Sequence, residues 1–326
     1  MIVAVKLPNK LNERVLTFPF LHALDELLQR VAAEDPEDDT YQIHLISIKD
    51  GIDVLNLLPF HAFYHELSEE DLKTVFTAHR ASASLNLNNG VDVYISTTTS
   101  FVDASLGKNI NSKNKVGFDL GKNKWLLNKR IPHPGTIHKS DEVFPLIKSI
   151  TGVAGDISNV SARKVSELYA DWSESPYLVI DLDLVNGEIN PEWLELIELS
   201  VNKRFIFMCS ELGEFLQKDK LQDYIATLPS KNTYKLFHYD SNIELAKLVS
   251  YSIAFVTKSA DLMTVATYCG TTTFFINPGE NLKLTGPKYF RGELKEYPFK
   301  NVQSFPYNSL FDDLIALVES KTPEER

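Results

Sequence analysis

The sequence predicts an α/β fold with two doubly wound parallel sheets, and three observations favour it. Short apolar or β-branched runs alternate with segments of helical period along the chain. One irregular stretch, 153–176, interrupts that alternation. The chain has 326 residues, more than most single cores contain. We therefore expect two Rossmann-like domains, 1–160 and 161–326, whose sheets face each other across a cleft.

In the first half, alternating or apolar runs predict strands and apolar residues at helical spacing predict helices. The expected strands are Ile2–Leu7, Gln42–Ile48, Val91–Ser96 and Lys115–Leu120. The expected helices are Val15–Val31, a segment from Ser68 to about Ser84, a short helix ending near Gly107, and Ser140–Thr151. Asp53–Phe60 and Phe63–Leu67 fit either type, and Lys124–Ile131 is expected to be extended.

The same alternation of strand-like and helix-like segments recurs in the second half. The expected strands are Tyr177–Asp181, Arg204–Cys209, Tyr234–His238, Ser252–Thr257 and Thr271–Pro278. The expected helices are Pro191–Ser200, Leu212–Thr227, Asn242–Ser250, Leu262–Cys269 and Ser309–Ser320. Glu280–Lys300 contains several glycines and prolines and is expected to be a loop.

Composition excludes several classes of function. The net charge of −11 disfavours nucleic acid as a partner. The sequence has no apolar run of the roughly 20 residues that a membrane span needs. Its two cysteines, Cys209 and Cys269, lie in apolar segments and indicate free thiols in a reducing, cytoplasmic compartment. No Cys or His pair has zinc-ligand spacing, so we expect no metal site.

Seven cations nevertheless crowd into a short region. Two interpretations are open: a solvated loop face, or a cleft wall that meets anionic substrates. The cations are Lys108, Lys113, Lys115, Lys122, Lys124, Lys129 and Arg130.

The stretch from Ser252 to Pro278 predicts a strand–helix–strand unit that ends its helix at Gly270. Its polar turn, Lys258–Asp261, follows the first strand at the edge where open parallel sheets bind ligands. Amide groups of a helix N-terminus there would hold a phosphorylated ligand. The alternative is an ordinary turn in which Ser259 only caps the helix.

The first turn of the chain, Asn9–Arg14, would occupy the corresponding edge of the first sheet. Glu13 would then be a carboxylate at the cleft, placed to take a proton from an acceptor hydroxyl. The alternative is a glutamate favoured in a first helical turn by the helix dipole alone.

Several segments together resemble the glycosyltransferase family 9 heptosyltransferases, a family of GT-B fold. The opening resembles the family's Leu-Gly-Asp and Thr-x-Pro-x-Leu pattern, with Leu11, Thr17 and Pro19 in register and Asn12-Glu13 in place of Gly-Asp. Four later segments follow in the family's order. They are Val91–Ser96 with Ser100–Leu106, Lys115–Phe118, His138–Gly152 and Ile253–Pro278.

The resemblance implies an acceptor-side first domain and a nucleotide-sugar-side second domain. It implies that Glu13 is the catalytic base, with Lys10, Asn12, Lys122 and Lys124 on the acceptor side. The donor site would contain Lys258, Ser259, Ala260, Asp261 and Thr264, with Glu211 or Glu214 on the ribose. The nucleotide-sugar is a substrate, and no further cofactor is implied.

The implied function is sugar transfer to a hydroxyl of a lipopolysaccharide-like or other surface glycan, or of a lipid-linked saccharide. We expect at most peripheral contact with the inner membrane. The chain departs from the family where Ser259, Asp261 and Thr264 replace Asp, Gly and His, and where no Lys precedes Trp193. These departures keep open a catalytically degenerate scaffold that binds partners in glycan assembly. A third alternative is a sugar-nucleotide epimerase of related architecture, although the chain lacks the His and acidic pairs expected in such a site.

Overall fold

The computed structural model describes residues 1–34, 40–85, 87, 90–151, 160–166, 177–181, 204–209, 226, 233–298 and 307–321. The chain divides into two compact units. The first contains Met1–Val160 and also Asn281–Tyr289, and the second contains Ser161–Glu280 and Phe290–Arg326. No local pattern in the chain predicts the short return to the first unit.

The first unit is built on a parallel sheet with six strands among its described residues. They are β1 (Ile2–Lys6), β2 (Gln42–Ile48), β3 (Phe63–Leu67), β4 (Val91–Ser96), β5 (Ser112–Phe118) and β6 (Lys129–Ile131). Their order is β3-β2-β1-β4-β5-β6, so the winding reverses between β1 and β4. Helices connect them: Leu11–Leu16, Phe18–Glu34, Val75–Ser84, Phe101–Asn109, Lys139–Glu142 and Pro145–Thr151, with Leu282–Thr285 from the later segment. Its described residues also form three 3₁₀ turns, Ile52–Leu57, Glu70–Leu72 and Gly121–Trp125.

The second unit repeats this arrangement in its described part. Its strands are β7 (Tyr177–Asp181), β8 (Arg204–Cys209), β9 (Thr233–His238), β10 (Ala254–Thr257), β11 (Thr273–Asn277) and β12 (Leu294–Pro298). The order is β12-β11-β10-β7-β8-β9, all parallel, and the winding reverses between β7 and β10. Its described helices are Asn242–Val249, Ala260–Tyr268 and Tyr307–Lys321. The predicted pair of doubly wound sheets is confirmed.

Burial on both faces of the sheet explains why the central strands of the first unit are nearly continuous apolar runs in the sequence. Strands covered on both faces must bury every side chain, and Val3, Ala4 and Val5 are all fully buried. On one face, Ala4 and Ile46 join a cluster with side chains of the helices Val75–Ser84 and Phe101–Asn109.

Several elements differ from the expectation. The helix expected over Val15–Val31 is two helices, because the chain breaks at Thr17, whose hydroxyl donates to Arg14 O at 2.6 Å. The helix expected over Ser140–Thr151 breaks before Pro145, since proline cannot donate an amide hydrogen bond inside a helix.

Two further segments differ in part from the predicted type. Part of Lys124–Ile131 is a 3₁₀ turn rather than extended chain. β12 lies in the segment expected to be a loop, and Tyr297 stacks there on Phe274 of β11 with ring centroids 5.9 Å apart. The expected helices Pro191–Ser200 and Leu212–Thr227 lie outside the described residues.

Candidate functional site

A cavity of about 100 Å³ lies at the carboxyl edge of the first sheet, where the winding reverses. Open α/β sheets bind ligands at this switch point because the loops of two adjacent strands diverge there. One wall follows β1, a second follows β4, and a third comes from the helix Lys139–Glu142 and its C-terminal residue Val143. The lining residues are Pro8, Glu13, Thr17, Thr97, Thr98, Thr99, Lys139, Glu142 and Val143.

Glu13 borders this cavity from the first turn of the helix Leu11–Leu16. Its side chain is 33% exposed, and its carboxylate is 3.9 Å from the Lys10 ammonium. The Glu13 amide donates to Asn12 Oδ1 at 2.7 Å, which satisfies one of the amides that lack a partner in the first turn of the helix. The predicted general base therefore lies at the opening of a cavity, with an accessible carboxylate.

A second carboxylate, Glu142, lines the same cavity but is already engaged. Its Oε1 is 2.9 Å from His133 Nε2, and its Oε2 accepts from Lys139 Nζ at 2.9 Å. The Glu142 side chain is only 8% exposed. Two partners and deep burial make Glu142 a fixed wall of the cavity.

Buried charges hold the turn that carries Glu13. Arg14 is fully buried and donates to Pro8 O at 3.2 Å, Asn9 O at 2.8 Å and Asp50 O at 2.9 Å. A guanidinium can satisfy several carbonyls at once because its donors form a rigid fork. It therefore fixes the Pro8–Asn9 turn at the mouth of the cavity.

Lys6, also fully buried, extends this network. Its ammonium donates to Asn9 Oδ1 at 2.9 Å and lies 3.7 Å from Asp103 Oδ1. Burial lowers the pKa of Lys6, nearby Asp103 raises it, and Arg14 lowers it further. Asp103 in turn accepts the Thr98 hydroxyl at 2.5 Å, which ties the β4 loop to the β1 loop.

The corresponding edge of the second sheet carries the other predicted turn. At its switch point, Thr257 at the end of β10 donates to Asp181 Oδ2 at the end of β7, at 2.6 Å. The Ser259 amide donates to Thr257 Oγ1 at 2.9 Å, and Ser259 Oγ accepts the Leu262 amide at 3.3 Å. Asp181 thus orients the turn through Thr257, and Ser259 caps the helix Ala260–Tyr268.

The predicted donor residues are placed differently along this helix. Lys258, Ala260 and Asp261 are partly exposed at or before its first turn, beside the Ser259 cap. Thr264 is fully buried one turn further on, and its hydroxyl donates to Ala260 O at 2.7 Å. Glu211 and Glu214 lie outside the described residues.

The basic region does not form one wall. Lys113 pairs with Asp92 at 2.8 Å, Lys115 donates to Ser112 O, and Lys129 donates to Ser149 O. Lys122 and Lys124 are exposed on the 3₁₀ turn after β5. That turn is joined to the cavity loop, because Asn123 Nδ2 donates to Thr99 O at 2.9 Å.

Sequence reasoning did not single out the Thr97–Thr99 loop, Lys139 or Glu142. A signal for the threonines was present, since they directly follow a predicted strand. Lys139 and Glu142 meet the cavity only through tertiary packing, which no local pattern encodes.

In the described part of the chain, no group of three or more His, Cys, Asp or Glu side chains is arranged to hold a metal ion. None of the helices described is long and apolar enough to cross a bilayer.

No protein-family model matches the sequence, and no curated protein matches it. Solved structures do match it in fold. A glycosyl transferase family 9 protein from Veillonella parvula has a TM-score of 0.73 at 12% identity, covering 98% of this chain and 97% of its own. E. coli heptosyltransferase WaaC with ADP has a TM-score of 0.71 at 13% identity, covering 97% and 100%. E. coli ADP-heptose LPS heptosyltransferase II has a TM-score of 0.66 at 13% identity, covering 98% and 99%.

These similarities extend over nearly the whole chain, although few residues are shared. The resemblance inferred from the sequence is therefore confirmed at the level of the fold: this chain has the GT-B fold of the family 9 glycosyltransferases and heptosyltransferases.

Proposed function

We propose that this protein is a divergent glycosyltransferase of the family 9 type. It transfers a sugar from a nucleotide-sugar to a hydroxyl of a surface glycan or lipid-linked saccharide. The observation that carries this proposal is the position of Glu13, whose carboxylate borders a cavity at the switch point of a sheet with this fold. Residues 1–160 hold the acceptor, and residues 161–326 hold the donor.

Glu13 is the proposed base, and Glu142 is not. A general base must reach the proton that it removes and have a free lone pair to receive it. Each Glu142 oxygen already has a partner at 2.9 Å, whereas the Glu13 carboxylate has its cationic neighbour at 3.9 Å and is more exposed. The acceptor hydroxyl loses its proton to Glu13 as its oxygen attacks the anomeric carbon, and the nucleoside diphosphate leaves.

The donor diphosphate is proposed to bind at the turn Lys258–Thr264. Amides in the first turn of a helix lack intrahelical partners and attract anions. The Asp181–Thr257–Ser259 chain of hydrogen bonds supports this turn from below. Lys258 adds a positive charge and Glu211 or Glu214 binds the ribose, so that transfer needs no metal.

The acceptor is proposed to bind along Lys10, Asn12 and the cavity threonines, with Lys122 and Lys124 beside it. The threonine hydroxyls and the Asn12 amide suit a polyhydroxylated ring because they can both donate and accept hydrogen bonds, and the Glu13 carboxylate accepts them. An acceptor attached to lipid would bring the protein to the cytoplasmic face of the inner membrane as a peripheral protein.

The test combines donor binding with a substitution. Thermal-shift measurements with ADP-, GDP-, UDP- and CMP-sugars should identify one donor that raises the melting temperature by several degrees, since saturation at 100 times Kd adds about 2.7 kcal/mol. With that donor, Glu13→Gln should lower kcat about 10²–10⁴-fold while the donor-induced shift persists. Glu26→Gln, an exposed glutamate on the helix Phe18–Glu34, is the control. Unchanged turnover in Glu13→Gln would remove Glu13 from the mechanism.

A catalytically degenerate scaffold is the second candidate, and Thr264 favours it. The resemblance aligns Thr264 with a histidine of the family, but the Thr264 hydroxyl is buried and bonded within its own helix. A scaffold predicts no thermal shift with any nucleotide-sugar, whereas the enzyme predicts a shift with one of them.

A further inference from the structure

The 3₁₀ turn after β5 presents large apolar side chains to solvent. Trp125 is 72% exposed and Leu120 is 48% exposed. Lys122 and Lys124 lie between them and are exposed as well. We call residues Leu120–Trp125 the Trp125 turn.

The Trp125 turn is anchored from inside. Asn123 at its centre is only 2% exposed, and its side chain donates to Thr99 O. The Asn123 amide donates to Leu120 O at 3.1 Å, and Asn123 O accepts the Leu126 amide at 2.9 Å. Exposing the Trp125 ring to water is unfavourable, and the anchored turn cannot bury it. A binding partner that covers the ring would offset this free energy.

The charge around the turn opposes that of the whole protein. The segment from Asp119 to Arg130 contains four basic residues and one acidic residue, so its formal charge is +3, whereas the formal charge of the whole chain is −11. A five-residue 3₁₀ turn is about 10 Å long, roughly one Debye length in physiological salt. A surface that touches the turn therefore meets the local cations and is screened from most of the distant carboxylates.

We propose that the Trp125 turn docks on a bilayer surface that contains anionic phospholipid. Tryptophan favours the headgroup region because its ring is apolar and its N–H is polar. Lysines beside it add attraction to phosphate groups, and their stems pack along apolar surface. An apolar pair flanking two lysines is the composition that such an interface selects.

Docking there has a consequence for the cavity. Asn123 bonds to Thr99, and Thr99 lines the cavity that Glu13 borders. The bilayer surface would thus lie beside the cavity, where a lipid-linked molecule could enter from the headgroup layer. Vesicle binding requires neither donor nor acceptor, so its outcome is independent of the proposed transfer reaction.

Co-sedimentation of the full chain with vesicles tests the proposal. The protein should bind vesicles of phosphatidylcholine with phosphatidylglycerol, bind phosphatidylcholine alone more weakly, and release at high salt. Trp125→Ala should lower the partition coefficient about tenfold, and Lys122→Gln and Lys124→Gln about fivefold each. Phe76→Ala, which removes another aromatic side chain that is 70% exposed, and Lys73→Gln are matched controls that should bind like the wild type.

Circular dichroism of each variant checks that the fold is kept. Equal vesicle binding by Trp125→Ala and wild type overturns the proposal, as does absence of wild-type binding to the anionic vesicles. Binding of a soluble anionic oligosaccharide that depends on Trp125, without vesicle binding, would assign the turn to a glycan and also overturn it.

Discussion

His44 and His65 are neighbours on adjacent strands, with His44 Nδ1 2.9 Å from His65 Nε2. His44 also stacks on Phe63, with ring centroids 4.8 Å apart. Burial, together with the neighbouring His65, lowers the pKa of His44 to about 4, and burial lowers that of His65. Both imidazoles are therefore neutral in the folded protein at neutral pH.

This pair predicts a loss of stability in mild acid. The His44 imidazole takes up a proton near pH 6.5 in the unfolded chain but only near pH 4 in the folded protein. The contribution of His44 to the free energy of unfolding is therefore complete above pH 6.5 and is lost as the pH falls toward 4. At pH 5 the loss should be about 1 kcal/mol for His44, after allowance for its partial exposure. Urea unfolding at pH 7 and pH 5 measures it.

His44→Gln should reduce that pH dependence, and His61→Gln, an exposed histidine nearby, is the control. An identical change in unfolding free energy between pH 7 and pH 5 in wild type and His44→Gln would contradict the assignment.

Two of the residues predicted from sequence, Glu13 and Ser259, belong to segments that follow a strand closely in the chain. Glu13 and Ser259 were found for that reason, and both lie at switch-point edges. Glu142 comes from a helix distant in sequence, and Asp181 acts through Thr257. Such partners depend on tertiary packing, so no spacing in the chain reveals them.

At the level of elements, one close approach fixes the helix Phe101–Asn109 against β4. An ideal Cβ on Gly107 would lie 2.2 Å from ring atoms of Tyr94. The Tyr94 ring is fully buried, and its hydroxyl donates to Asp103 O at 2.6 Å. The ring has no room to move away, so the helix can approach only with glycine at this position.

Gly107→Ala should therefore destabilise the protein by about 1–3 kcal/mol. Alanine gains about 1 kcal/mol of helix propensity over glycine, but the collision with a buried ring outweighs it. Denaturant unfolding measures the change. In a Tyr94→Leu background, the same substitution should cost much less, and a double-mutant cycle gives the coupling between the two sites. Equal costs in both backgrounds would show that the ring is not the obstacle.

Strands were predicted better than helix boundaries. Buried parallel strands are nearly continuous apolar runs, and β2, β4, β7 and β8 have the predicted bounds. β12 was missed because it is a short edge strand with charged residues, Lys295 and Glu296, which resembles a loop. The pairing of β12 with β11 is a tertiary contact, and no pattern in the local sequence predicts it.

At the scale of the whole molecule, the chain returns to its first unit over Asn281–Tyr289. Lys288 Nζ and the Tyr289 hydroxyl both donate to Asp141. His138 Nε2 donates to Gly286 O at 2.7 Å, while its Nδ1 accepts the Ser140 amide. Burial raises the pKa of Asp141, but the hydrogen bonds from Lys288 and Tyr289 lower it more. The segment is thus held to the first unit by charge-assisted hydrogen bonds.

Asp141→Asn should loosen this segment without unfolding the protein. The lost interactions are partly exposed, so we expect about 1 kcal/mol, or a roughly fivefold drop in amide hydrogen-exchange protection over residues 281–289. Asp312→Asn, an exposed aspartate of the second unit, is the control. Unchanged protection in Asp141→Asn would mean that apolar contacts alone hold the segment.

The return of the chain also sets an order for biosynthesis. A ribosome delivers Met1–Val160 first, and then the roughly 120 residues of Ser161–Glu280 before the last piece of the first unit emerges. At about 5–20 residues per second this delay is about 6–24 s. During that interval the nascent first unit exposes the surface around His138 and Asp141, and a gene truncated after Val160 would leave that surface uncovered permanently.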